Sequence, residues 1–199
     1  SILSSKDIEL LHEKTLEILM DPGVAVLSTK ALAVLESCGA EIDSKAMRAS
    51  IPESLVKWTL KKLPKKVTLA ARDPRRDMVA PRHGPPFMAT NGTAVYMTDL
   101  VTGVKRRTTS RDLKEFMVLC DAMGPLDYVW PIVTAHDAPE KTHAVDELAI
   151  SLLNTTKHVQ GEAMSAAEAR TQIEIASTIA GSAEDLAKRP LFSVIQCPI

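Results

Sequence analysis

The chain has 199 residues, of which 45% are apolar and 25% charged, with a formal net charge of −1. That apolar share sustains an ordinary buried core and excludes a disordered or fibrous chain, and near-neutrality leaves no global field for nucleic acid or an anionic membrane. Three scattered cysteines, Cys38, Cys120 and Cys197, with no C-x-x-C pair, argue against a disulfide framework or a structural zinc site and fit a reducing cytoplasm.

The opening Ser1–Asp7 lacks the basic flank and apolar run of a signal peptide, and no stretch approaches the ~18 apolar residues of a membrane span, so a soluble protein is expected. Ser4 or Ser5 caps a first helix with apolar residues at Ile8, Leu11, Leu16, Ile18 and Leu19, ended by Asp21-Pro22-Gly23. A second helix is expected from Thr29 to Ser37, stopped by Gly39, and a third from Pro52 to Leu63, which makes residues 1–65 a helical region. Between 66 and 109 short strands at Val67–Ala70 and Ala94–Met97, punctuated by Asp73-Pro74, Asn91-Gly92 and Thr102-Gly103, suggest a small antiparallel meander acting as a cap.

From Ser110 the pattern alternates: helix to Met123, strand Tyr128–Thr134, helix Lys141–Asn154, strand His158–Ala163, helix Ser165–Ala180, strand Leu191–Cys197. Strand starts recur at about the thirty-residue spacing of a βα unit, so residues 110–199 read as a parallel α/β sheet. The first strand-to-helix turn, Thr134-Ala135-His136-Asp137-Ala138-Pro139, carries no G-x-G-x-x-G and no P-loop, which favours a (β/α)8 barrel over an open nucleotide-binding sheet. A whole barrel takes ~250 residues. The expectation is therefore the front of a larger α/β-barrel protein, with about three βα units before Ile199.

Reactive groups in parallel α/β proteins gather at the carboxyl ends of strands. Here those ends offer Thr134, His136 and Asp137, then Gln160 and Glu162, then Gln196 and Cys197. His136 beside Asp137 reads as a proton-transfer pair or as a hydrogen-bonded structural histidine. Glu162 shares a strand face with Gln160, and an interior carboxylate is costly unless used or paired. Tyr96 and Trp130 read as part of a cage for a quaternary ammonium group or as packing. Twelve basic residues between Lys61 and Arg111 face only Asp73, Asp77 and Asp99; without interleaved aromatics they read as a solvated face or a docking surface for an acidic partner or phosphate-bearing cofactor rather than a nucleic-acid platform.

In order along the chain stand Ile8-x-x-Leu11-His12-x-x-Thr15-Leu16-x-Ile18-Leu19, Gly23-Val24, Cys38-Gly39-Ala40 and Ile51-Pro52-x-x-Leu55-Val56. They are followed by Leu69-Ala70-Ala71-Arg72-Asp73-Pro74, Asp99-x-x-Thr102-Gly103-x-x-Arg106-Arg107-x-Thr109-x-x-Asp112, Thr156-Lys157-His158, Ala180-Gly181 and Arg189-Pro190. This series resembles the trimethylamine methyltransferase (MttB-type) superfamily of corrinoid-dependent methyltransferases over essentially the whole chain. The resemblance implies a (β/α)8 barrel that passes a methyl group from trimethylamine or a quaternary amine to the cobalt of a corrinoid (cobalamin) held by a separate cognate protein, with no cofactor bound tightly by this chain. It implies a cytoplasmic homo-oligomer, and favours a glycine-betaine-type member without pyrrolysine. Tyr96, Asp99, Trp130, His136, Gln160, Glu162 and Gln196 are the expected substrate-binding residues, Tyr96 holding the cation and Asp99 or Glu162 offsetting its charge. No metal ligand is expected, the catalytic residues are expected beyond Ile199, and the 199 residues alone are expected to be inactive. Two other readings stay open: a non-catalytic quaternary-amine-binding or regulatory protein, and a cobalt-independent barrel enzyme with His136 and Glu162 as acid and base.

Overall fold

A computed structural model describes residues 2–195. They fall into two units, Ser1–Pro64 and Lys65–Ile199.

In the first unit α1 (Ser5–Met20) starts in a capping box: the Ser4 hydroxyl accepts from the Asp7 amide, and the Asp7 carboxylate accepts from the Ser4 amide at 2.8 Å. Then come β1 (Val24–Ala25), α2 (Thr29–Ser37), β2 (Glu41–Asp43), β3 (Arg48–Ser50) and α3 (Glu53–Lys62). The three helices match the sequence expectation; the antiparallel sheet β1-β3-β2 does not. Its strands are two or three residues long, too short for an alternating pattern to register. Gly23 makes the turn into β1 at φ +75°, and a Cβ there would lie 2.5 Å from the Ala49 carbonyl oxygen of β3.

The second unit begins with β4 (Val67–Leu69), a 3-10 turn (Pro74–Arg76) and β5 (Met78–Ala80), then β6 (Tyr96–Thr98) and β7 (Lys105–Arg107). These form two separate antiparallel ladders, β4-β5 and β6-β7, where the sequence suggested one meander. After them run α4 (Ser110–Ala122), β8 (Tyr128–Val129), α5 (His143–Asn154), β9 (His158–Glu162), α6 (Ala166–Ala180), α7 (Ala183–Lys188) and β10 (Phe192–Ile195). β8, β9 and β10 form a parallel sheet in chain order, linked by helical crossovers. The chain is thus a mixed α/β protein, and no barrel closes among its described residues.

The strand expected over Tyr128–Thr134 stays in the ladder only to Val129. Pro131 has no N–H to give a neighbour, and the segment turns instead to residues 90–94: the Ala94 amide donates to the Ile132 carbonyl (2.8 Å) and the Thr134 amide to the Ala94 carbonyl (3.0 Å). Leu113 and Met117 of α4, Leu148 and Leu152 of α5, Val129 and Val159 of the sheet make the core between helices and strands, each at least 99% buried. Their positions on the helices follow the i, i+4 spacing of a single apolar stripe.

Polar residues fix the lower, amino-terminal edge of this sheet. The Asp121 carboxylate accepts from the Thr155 and Thr156 hydroxyls (both 2.9 Å) and the Thr156 amide (2.7 Å), binding the end of α4 to the entry of β9. Buried Lys157 donates to the Cys120 and Met123 carbonyls, satisfying the end of α4. His158, wholly buried, donates from Nδ1 to the Ala70 carbonyl (2.8 Å) and accepts at Nε2 from the Ser193 hydroxyl (2.9 Å) in the tautomer this pairing assigns. Burial pushes its pKa down, so it is a neutral structural group.

Candidate functional site

At the carboxyl ends of β8 and β9 lies a cleft of about 270 Å³. It is lined by Trp130 and Thr134, beyond the end of β8, by Glu162 and Met164 at the end of β9, and by His143 and Glu147 of α5. Trp130 is held by a reciprocal pair of bonds: its amide donates to the Thr90 hydroxyl (2.7 Å), which donates to the Trp130 carbonyl (2.9 Å). Glu162 is exposed, and its backbone carbonyl accepts from Gln172 Nε2 of α6 at 2.7 Å.

Glu147 is the unusual member. Only 8% exposed, it accepts from the Ala135 amide at 3.0 Å through Oε1, the same oxygen that lies 3.5 Å from His143 Nδ1 one helical turn earlier. Burial pushes its carboxyl above the usual carboxylate range; the Ala135 amide and His143 work against that push, and the Glu162 charge adds to it. Among the described residues that line the cleft none is a lysine or arginine. Two glutamates, a tryptophan and a histidine therefore line a small recess with no lysine or arginine among its described residues, an arrangement suited to a small cation and unsuited to a phosphate.

Of the residues singled out from the sequence, the cleft gathers Thr134, Trp130 and Glu162, whereas Gln160, His136, Asp137, Tyr96 and Asp99 are not among its lining residues. Gln160 stands next along the Glu162 face of β9 but donates to the Ser193 hydroxyl (3.3 Å). His136 and Asp137 diverge: His136 Nδ1 is 3.4 Å from the Thr108 hydroxyl, whereas the Asp137 carboxylate accepts from the Ser110 amide (2.6 Å) at the start of α4. Tyr96 lies half exposed on β6, with the Lys105 ammonium 4.9 Å from its ring centre. Asp99 closes the β6–β7 turn, accepting from the Val101 and Thr102 amides (3.1 and 2.9 Å) and the Thr102 hydroxyl, with Arg106 at 3.8 Å. Gln196 and Cys197 lie outside the described residues. His143 and Glu147 were not singled out from sequence. A signal existed: Glu147 occupies the i−4 position to Ser151 and adjoins Leu148 on the buried stripe of α5, where a carboxylate needs a reason.

A larger groove of about 590 Å³ opens below, beside residues preceding β8 and β9. Its charges pair among themselves: Arg76 with Asp121 at 3.3 Å and Arg82 with Asp127 at 3.4 Å. Arg75 likewise holds Asp73 at 2.7 Å, Arg106 holds Asp112 at 2.7 Å and Arg111 holds Glu115 at 2.8 Å. The basic stretch of the sequence is thus partly neutralised by partners within the chain.

The described residues thus form a parallel α/β frame with a recess at the carboxyl ends of its strands. The chain matches the family model described as trimethylamine methyltransferase (MTTB) over residues 1–197, and it belongs to that family. It is 31% identical over 195 residues to the trimethylamine methyltransferase MttB of Desulfitobacterium hafniense (strain DSM 10664 / DCB-2), covering 98% of this chain and 39% of that protein. To the trimethylamine methyltransferase MttB of Methanosarcina barkeri (strain Fusaro / DSM 804) it is 29% identical, covering 100% of this chain and 41% of that one. A glycine betaine methyltransferase of Desulfitobacterium hafniense (strain Y51) is 26% identical over 96% of this chain and 40% of its own length. The chain thus spans about two fifths of the curated relatives it matches.

Proposed function

We propose that the whole protein transfers a methyl group from trimethylamine or a betaine-type quaternary amine to the cobalt of a corrinoid carried by a separate protein. The family match over residues 1–197 carries this reading. In such a transfer the N–CH3 bond breaks as low-valent cobalt supplies the electron pair for the new bond, and the amine leaves neutral. The protein's part is then orientation and charge placement. A strand-end cleft lined by two glutamates and a tryptophan, with no lysine or arginine among its described residues, supports that role, since a cationic methyl donor has no proton to give once fully methylated and is held by charge and aromatic contact.

Chain-ordered parallel strands β8-β9-β10 support reading the sheet as the first part of a (β/α)8 barrel. We place the protein in the cytoplasm as a homo-oligomer, and favour a quaternary amine over trimethylamine. Of the expected substrate contacts, Trp130 and Glu162 gain support from sharing the cleft; Tyr96, Asp99, His136, Gln160 and Gln196 remain assignments by position along the chain.

The test supplies the full natural protein with isotopically methyl-labelled amines and cob(I)alamin. Label on cobalt and a demethylated amine are expected. Amine binding without transfer would favour a non-catalytic amine-binding protein; turnover without cobalt would favour acid–base chemistry and overturn the methyltransferase reading.

A further inference from the structure

We propose that Glu147 is the group that holds the positive charge of the amine, lining the cleft together with Trp130 and with His143 as its partner when the cleft is empty. The assignment rests on the amine-methyltransferase reading above and adds to it the residue that selects the cation.

Glu147 presents one carboxylate oxygen fixed by a backbone amide, so its position does not depend on a mobile side chain. It sits on α5, anchored in the core by Leu148 and Leu152, rather than on a loop. A buried carboxylate with no lysine or arginine among the described residues lining its cleft has there no partner of the kind such groups ordinarily have. His143 Nδ1, 3.5 Å away, is buried and makes no hydrogen bond, so the pair is loosely satisfied. A methylated ammonium supplies the missing positive charge without demanding a hydrogen-bond acceptor, and its methyl groups meet apolar neighbours in Ala144, Leu148 and Met164.

The groups facing Glu147 are few: His143 from its own helix, Glu162 from β9, and the Ala135 amide from the β8–α5 connection, while α6 brings the uncharged Gln172 near the Ala144 carbonyl. A cation in the cleft favours the ionised form of Glu147, so binding releases a proton and tightens as pH rises through the carboxyl's raised value.

The test uses the full natural protein, with choline as the cationic probe and 3,3-dimethylbutan-1-ol, in which carbon replaces the quaternary nitrogen, as its neutral counterpart. The wild type is expected to prefer choline. Glu147→Gln keeps the Ala135 contact and is expected to weaken choline binding by about thirtyfold or more while leaving the neutral alcohol within about twofold. In the wild type, choline binding is expected to release protons. Unchanged choline affinity in Glu147→Gln would overturn the assignment, and so would binding with no proton release across the acidic range if that variant does not fold. Glu147-dependent choline binding with no methyl transfer would uphold the assignment and sink the methyltransferase reading.

Discussion

Arg189 grips Asp77 with both ends of its guanidinium, Nη1 to Oδ2 at 2.7 Å and Nη2 to Oδ1 at 2.9 Å, across 112 residues of chain. The same Nη2 donates to the Ala71 carbonyl at 3.1 Å, and the Asp77 carboxylate accepts from the Ala71 amide at 2.9 Å. One ion pair thereby ties the segment leading into β10 to the turn between β4 and β5. Lysine cannot reproduce this two-pronged contact. Arg189→Lys is expected to lower unfolding stability by about 1–2 kcal/mol, seen as an earlier thermal midpoint; an unchanged midpoint would show that the fork is dispensable.

Acid should act on stability through two sets of carboxylates with opposite sign. Arg106, bonded to both oxygens of Asp112 at 2.7 and 2.8 Å, holds that carboxyl far below its ordinary value against the opposing effect of burial. Asp77 is also lowered: burial opposes, and Arg189 and the Ala71 amide outweigh it. A lowered folded value gives stability that is present above the unfolded pKa of 3.8 and lost as pH falls through the folded value. Glu147 does the reverse: its raised value gives stability that is complete below 4.5 and lost as pH rises through the folded value. Thermal melts across about pH 3 to 8 should therefore show acid destabilisation retained in Glu147→Gln, and a smaller decline of that variant on the neutral side. Identical profiles for the two proteins would contradict the burial of an ionising Glu147.

Lys157 offers a sharper stability test because its ammonium is buried against the end of α4. Lys157→Ala leaves the Cys120 and Met123 carbonyls without their donor and is expected to cost about 2–4 kcal/mol in urea unfolding. Loss of under about 0.5 kcal/mol would mean that water replaces the ammonium at no cost.

Helices α1 to α6 were legible in the sequence because caps and apolar spacing are local: Ser4, Ser28, Thr109 and Ser165 each bind an amide within their helix's first turn, whereas the six-residue α7 was not anticipated. The alternation of strands and helices after Ser110 was legible for the same reason. The small ladders of two or three residues were not, since a strand that short carries no period, and β8 was overextended because nothing local to Pro131 announces that residues 90–94 take over its pairing. At the site, the strand-end rule found Thr134 and Glu162 and the search for an aromatic cage found Trp130; all three line the cleft. The strand-end rule passed over His143 and Glu147, whose helix enters the same recess from the crossover; the one local sign was the place of Glu147 on the buried stripe of α5. Several motif residues prove to be scaffold: Arg72 donates to the Leu152 carbonyl at 2.6 Å at the end of α5, and Asp99, Thr109 and Arg189 serve turns, caps and ion pairs. Family motifs and the residues lining the cleft are here largely different.

The most direct test of the account is the conversion of cob(I)alamin to methylcobalamin by the full natural protein, followed spectroscopically with a trimethylated amine as donor, for the wild type and Glu147→Gln. The account predicts methylcobalamin formation by the wild type and a KM raised at least about tenfold in the variant. Absence of methylcobalamin with every methylated amine tried, from a folded and amine-binding wild type, would contradict it.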